Sequence, residues 1–205
     1  MNKKNIAIVG AGGHTRSLLN LVDKNSYDII GVYDDSFKRD QTELINGVSL
    51  IGRLEDIDET QEIILSYGDN IRRQAAFLKY KSRLIKANLI HYSSIIEPYV
   101  LMGSSNQVFS KVLLNSKVSI GDNNIINSSC TIEHETKIGS HNHISVGSII
   151  CGRVIIGDLC FIGAGAVIID KVSICDQVII GANSVVISDI TEAGTYVGNP
   201  VRKIK

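Results

Sequence analysis

The chain has 205 residues, 44% hydrophobic and 20% charged, and its 21 basic and 21 acidic side chains cancel. That balance excludes nucleic acid or an anionic membrane as a bulk electrostatic partner, and no stretch approaches the roughly 20 apolar residues of a membrane span. The four cysteines (Cys130, Cys151, Cys160, Cys175) form no C-x-x-C pair, so they read as small hydrophobes in a reducing compartment.

Residues 5–10 (Asn-Ile-Ala-Ile-Val-Gly) read as a buried strand, and with no signal peptide expected ahead of it the expected location is the cytoplasm. The strand breaks into Gly10-Ala11-Gly12-Gly13-His14-Thr15, and a helical pattern follows from Arg16 to Lys24. A strand, a glycine turn and a helix start make an anion cradle, because free backbone N–H groups point at whatever sits there. The dinucleotide fingerprint G-x-G-x-x-G is not met, since Thr15 stands where its last glycine belongs. A second strand, Asp28 to Tyr33, ends in Asp34-Asp35, where an acidic residue can bind a ribose hydroxyl or a base edge. A third, Glu62 to Tyr67, ends in Gly68-Asp69-Asn70 ahead of a helix from about Ile71 to Lys86, with Arg72 and Arg73 in its first turn. Three polar strand ends converge on one edge of a Rossmann-like β-α-β domain, expected to span 1–87, and a ligand is expected there.

From Ile96 to Val186 an aliphatic residue falls on every sixth position, and four places after it comes a small or β-branched one such as Val118, Cys130, Ala166 or Ser184. Neither helix nor ordinary strand periodicity gives this. A prism wound with one short strand per face does, so residues 88–205 are expected to form a left-handed parallel β-helix, with roughly five coils. Glycines just after the aliphatic (Gly121, Gly139, Gly157, Gly163, Gly181) are expected at corners whose backbone angles exclude other residues.

The chemistry gathers around Asn127 to Glu135 and His141-Asn142-His143. With Ile132 inward, His134 and Glu135 fall on the corner and outside, where the carboxylate can fix the imidazole's tautomer and raise its basicity. His143 precedes inward Ile144 and is expected to point outward. Nine residues are half a coil, so His134 and His143 of one chain should lie on opposite sides of the prism. They can meet only between neighbouring chains, which suggests a closed threefold assembly. Small corners farther on (Gly147, Gly152, Ala164, Ala182) are expected to leave backbone groups open to a long thin ligand.

The hexads with Gly198-Asn199-Pro200-Val201-Arg202 resemble the hexapeptide-repeat acyltransferases that use acetyl-CoA. Gly10-Ala11-Gly12-Gly13-His14, Asp34-Asp35, Gly68-Asp69-Asn70 and Glu133-His134-Glu135 with His143 narrow the resemblance to acetyltransferases of bacterial surface-sugar synthesis, such as the UDP-4-amino-sugar N-acetyltransferases and the sialic acid O-acetyltransferases. The resemblance implies His134 as general base with Glu135 as its partner, His143 at the acetyl thioester, and Asn127 near the reacting amine. It places a nucleotide against Gly13, His14, Asp34, Asp35, Gly68, Asn70 and Arg73. CoA would run along Gly152, Ala164 and Ala182, without a metal, in a homotrimer. The implied reaction is N-acetylation of the C4 amine of a nucleotide-linked 4-amino-4,6-dideoxyhexose. Sugar O-acetylation is the alternative; a metal lyase using His134, His141 and His143, or an inactive nucleotide-sugar-binding scaffold, would be readings of another class.

Overall fold

A computed structural model describes residues 3–23, 26–40 and 42–205, and the chain divides into two compact units, Met1–Leu89 and Ile90–Lys205, where a boundary at 87 and 88 was expected.

The first unit is a five-stranded sheet in the order β3-β4-β2-β1-β5. Strand β1 (Lys4–Val9) pairs in parallel with β2 (Tyr27–Tyr33) and β5 (Glu62–Leu65). Ile6, Ala7, Ile8 and Val9 are all fully buried, as a central strand covered on both faces requires. Helix α1 (Gly13–Leu18) starts three residues earlier than the apolar spacing suggests, because the buried Thr15 hydroxyl donates to Gly10 O at 2.8 Å and meets Ser66 Oγ at 2.8 Å. Its regular part ends at Leu18; the expected end, Lys24, lies outside the described residues. Helix α2 (Asn70–Lys79) starts under the Asp69 side chain, which accepts from the Arg72 N–H at 2.7 Å, and stops well short of Lys86. Beyond the elements expected from the sequence, the sheet gains a hairpin, β3 (Glu43–Ile45) and β4 (Val48–Gly52). Its signal was Asn46-Gly47, both with left-handed backbone (φ 48 and 84), between two apolar runs.

The second unit is a three-sided parallel β-helix. Its first face stacks Ile95–Ile96, Leu113–Leu114, Thr131–Ile132, Ile149–Ile150, Val167–Ile168 and Val185–Val186; the second stacks Leu101–Met102, Ser119–Ile120, Lys137–Ile138, Ile155–Ile156 and Ser173–Ile174. The third includes Gln107–Val108, Ile125–Ile126, His143–Ile144, Phe161–Ile162 and Val178–Ile180. Within each two-residue strand the second residue fills the interior, and from Val108 to Val186 these are at most 4% exposed. Beyond Val186 the hexad lapses but the stacking continues, with Ile190 bridging Ile174 and Tyr196 opposite Ile180.

The corners correct one expectation. Every sixth residue from Tyr99 to Asn183, three places after the inward aliphatic, has a left-handed backbone, and of these only Gly147 and Gly165 are glycine. Each non-glycine residue there costs on the order of 1–2 kcal/mol. The N–H of such a corner donates to the preceding coil: Glu135 to Ser116 O at 3.1 Å, Arg153 to His134 O at 2.9 Å, Lys171 to Gly152 O at 3.0 Å. These bonds offset the cost. Gly121, Gly139, Gly157, Gly163 and Gly181 do not have left-handed angles. What they lack is room: a Cβ on Gly121 would lie 2.8 Å from Gly139 O, and one on Gly139 2.8 Å from Gly157 O. The edge between the second and third faces also carries an unforeseen ladder. Asn106, Asn124 and Asn142, fully buried, take the small-residue slot, and their Oδ1 atoms accept from the N–H groups of Asn124, Asn142 and Cys160 at 2.8, 2.8 and 2.6 Å.

Candidate active site

The β-helix divides its candidate residues between two edges. His134 stands where the first face turns into the second. Its Nδ1 lies 3.2 Å from Glu135 Oε2, and both side chains are about half exposed. One coil on, Gly152 forms the floor beneath the ring. A Cβ there would come within 2.7 Å of His134 Cε1 and 2.8 Å of Nε2, so any other residue displaces the imidazole. Spacing alone suggested a ligand-lining corner at Gly152; the geometry gives it a role toward His134.

The other edge joins the third face to the first. Asn127 Nδ2 lies 3.4 Å from His143 Nε2. His143 is on the outer side of its strand, as expected, yet it is buried (9% exposed), set edge-on to Phe161 with ring centroids 5.1 Å apart. Ala164 and Ala182 are exposed on the same edge, one coil apart. The backbone beside them is less open than expected, because the N–H groups of Gly165 and Asn183 already donate to Val146 O (2.9 Å) and Ala164 O (2.8 Å). Gly152, on the edge between the first and second faces, does not lie in line with Ala164 and Ala182. His141 occupies the remaining edge, its Nδ1 2.8 Å from Asn123 Nδ2. One chain thus puts His134, His141 and His143 in three different places, and among the described residues no cluster of three or more His, Cys, Asp or Glu is arranged to hold a metal ion. Burial pushes the Cys130 and Cys160 thiols up to about 11 and about 12, which makes them packing groups without nucleophilic character.

The first unit has its own cleft, of about 420 Å³, where the ends of β1, β2 and β5 meet; Gly13, His14, Asp34 and Gly68 line it as expected. Gly12 and Gly13 carry no side chain, although among the described residues a Cβ on either would meet nothing within 4 Å. Asp34 accepts from the Ala11 N–H at 3.0 Å and the Ser36 N–H at 2.9 Å. Partial burial raises its pKa, but the bonds from Ser36 and Ala11 and the Arg72 charge outweigh that and hold the carboxyl below its usual range.

Three expected nucleotide contacts sit elsewhere. Asp35 reaches the Leu54 N–H at 3.4 Å and is not part of the cleft wall. Arg73 is fully buried: Nη1 donates to Tyr67 O (3.1 Å) and Gly68 O (3.3 Å), and Nη2 to Asn70 Oδ1 (2.8 Å). Burial lowers its pKa to about 10. Arg73 and Asn70 therefore brace the loop after β5 from within. The cation on the wall is Arg72, its guanidinium 5.1 Å above the Tyr67 ring. Helical spacing was the missed signal, for Arg73, Ala76 and Phe77 form the buried stripe of α2 and Arg72 falls beside it.

Comparison with known proteins follows this division. The PglD N-terminal domain profile matches residues 5–80, and the bacterial transferase hexapeptide profile matches residues 135–170 and 153–188. No curated protein sequence matches the chain. Among solved structures, the acetyltransferase domain of PglB from Neisseria gonorrhoeae FA1090 is 25% identical, with a TM-score of 0.90 over 98% of this chain and 100% of that one. The same domain in complex with acetyl coenzyme A gives 26% identity and a TM-score of 0.89, over 99% and 100%. PerB from Caulobacter crescentus, in complex with CoA and GDP-perosamine, is 26% identical with a TM-score of 0.88 over 98% and 97%. Residues 5–80 thus belong to the PglD N-terminal domain family and residues 135–188 carry bacterial transferase hexapeptide repeats, and over nearly its whole length the chain has the fold of the PglB acetyltransferase domain.

Proposed function

We propose that the protein transfers the acetyl group of acetyl-CoA to the C4 amine of a nucleotide-linked 4-amino-4,6-dideoxyhexose, for bacterial surface glycan synthesis. The observation that carries this reading is the His134–Glu135 couple, exposed on a prism edge above a glycine that leaves the ring room. The likeness to PerB and to the PglB domain over nearly the full length of each chain supports the substrate pair. Gly12 and Gly13 support the nucleotide: among the described residues nothing lies within 4 Å of a Cβ added at either, whereas a phosphate approaching the backbone would need that space.

In this reading Glu135 accepts from His134 Nδ1–H, which fixes the tautomer and leaves Nε2 as the base. Only the neutral amine can attack a thioester; as its nitrogen bonds to the acetyl carbon, Nε2 takes the proton that the nitrogen sheds, and that proton passes to the CoA sulfur as the C–S bond breaks. From the other edge, His143 would steady the acetyl thioester and Asn127 would lie near the reacting amine. One chain holds these two half-sites on either side of its first face, whose outward residues Ile95, Leu113, Thr131, Ile149, Val167 and Val185 are all uncharged and nearly all aliphatic. A closed trimer would cover that stripe and bring one chain's His134 to the next chain's His143. No helix among the described residues is long and apolar enough to cross a membrane, and four free cysteines suit a cytoplasmic enzyme.

The test is His134→Ala, assayed with UDP-, dTDP- and GDP-linked 4-amino sugars by release of free thiol. Loss of about 10²–10⁴ in kcat is expected; wild-type turnover would remove His134 from the reaction.

A further inference from the structure

We infer that Arg153 is a positioning residue for the His134–Glu135 couple, with Asp170 as its counter-ion; the inference rests on His134 being the base. Arg153 follows the glycine that floors the imidazole, and its own N–H donates to His134 O at 2.9 Å, so its backbone is tied to the residue it would serve. It holds the left-handed corner one coil beyond Glu135 (φ 59 and 61), which stacks the two side chains on the same edge. Arg153 Nη2 lies 3.1 Å from both Asp170 oxygens. Nη1 lies 3.9 Å from Glu135 Oε2, the same oxygen that faces His134 Nδ1 at 3.2 Å.

The chemistry of the fork explains the choice of residue. Glu135 is about half exposed and sits on a corner, so a hydrogen bond to His134 alone would leave its carboxylate to swing among rotamers. A planar guanidinium can hold one carboxylate with one nitrogen and steady a second with the other, which the point charge of lysine cannot do. Asp170 keeps the cation from stripping Glu135 away from the imidazole; the shorter contacts, at 3.1 Å, are with Asp170. Lys171 Nζ, 3.7 Å from Asp170, is the other cation of the group. Ion pairs as exposed as these contribute little to folding stability, so their removal reads out on turnover.

The experiment compares Arg153→Ala and Glu135→Gln, singly and together, in thiol-release assays that vary each substrate with the other saturating. Arg153→Asn is added because asparagine tolerates the left-handed backbone. Both Arg153 variants are expected to lower kcat about tenfold while KM for either substrate stays within about twofold, the drop vanishing in the Glu135→Gln background. Unchanged kcat, a raised KM at constant kcat, or an undiminished drop in the double variant would each overturn the inference. His134→Ala in the same assay separates the two failures. If it is active, the base assignment falls; if it is inactive while both Arg153 variants turn over normally, only the role of Arg153 falls.

Discussion

Gly139 on the β-helix and Gly13 in the N-terminal cleft differ in what an added methyl group would meet. On Gly139 it would lie 2.8 Å from Gly157 O in the next coil; on Gly13 it would find nothing within 4 Å. The first glycine is demanded by the chain's own stacking. The second meets no such demand among the described residues, and under the proposed function its cause is the nucleotide. Gly152 is a third case, in which the crowding partner is the His134 ring.

Substitution by alanine at each turns this comparison into measurements. The largest effect is expected at Gly152→Ala, where displacement of the imidazole should cut kcat about 100-fold while leaving the melting temperature nearly unchanged. A collapse of the fold there would mean that the glycine serves stacking after all. Gly139→Ala comes next, losing about 1–3 kcal/mol in a denaturant titration because backbone has to move, with normal kcat in the folded fraction. Gly13→Ala is expected to fold as well as wild type or gain about 0.4–1 kcal/mol. Its cost should fall on KM for the nucleotide sugar, about tenfold, the scale of one lost hydrogen bond to a charged group. An unchanged KM would detach the cleft from the nucleotide. The smallest effect concerns Asp34, whose folded-state pKa lies below its unfolded one. Its stabilisation is complete above roughly pH 3.9 and is lost as pH falls through the depressed folded value. Asp34→Asn should therefore flatten the acid limb of stability measured between pH 2 and 5, and a limb as steep as wild type would count against it.

The β-helix was legible because one short period sets which residue faces inward on every coil, and the same arithmetic put His134 and His143 on separate sides. What that arithmetic could not supply was the reason for the glycines, since the pattern shows their register but not the distance to the next coil. The asparagine ladder at Asn106, Asn124 and Asn142 escaped because amides were not expected in an inward slot, although each finds its partners one coil away. In the first unit the strand ends and the cleft were readable, while the choice between Arg72 and Arg73 turned on which one joins Ala76 and Phe77 on the buried stripe of α2. The hairpin at Asn46-Gly47 carries a local signal of its own, a dipeptide that takes left-handed angles readily, independent of any apolar period.

The stacking of identical positions at intervals of eighteen residues also restricts how such a chain can change length. Gain or loss of one whole coil leaves every later side chain on its own face. Removal of a single six-residue rung between Glu135 and His143 would instead rotate everything after it by a third of a turn, carrying His143 and Ala164 to different faces. Insertions and deletions in this half of the molecule are therefore quantised, and drift in length is left to the loops of the other half.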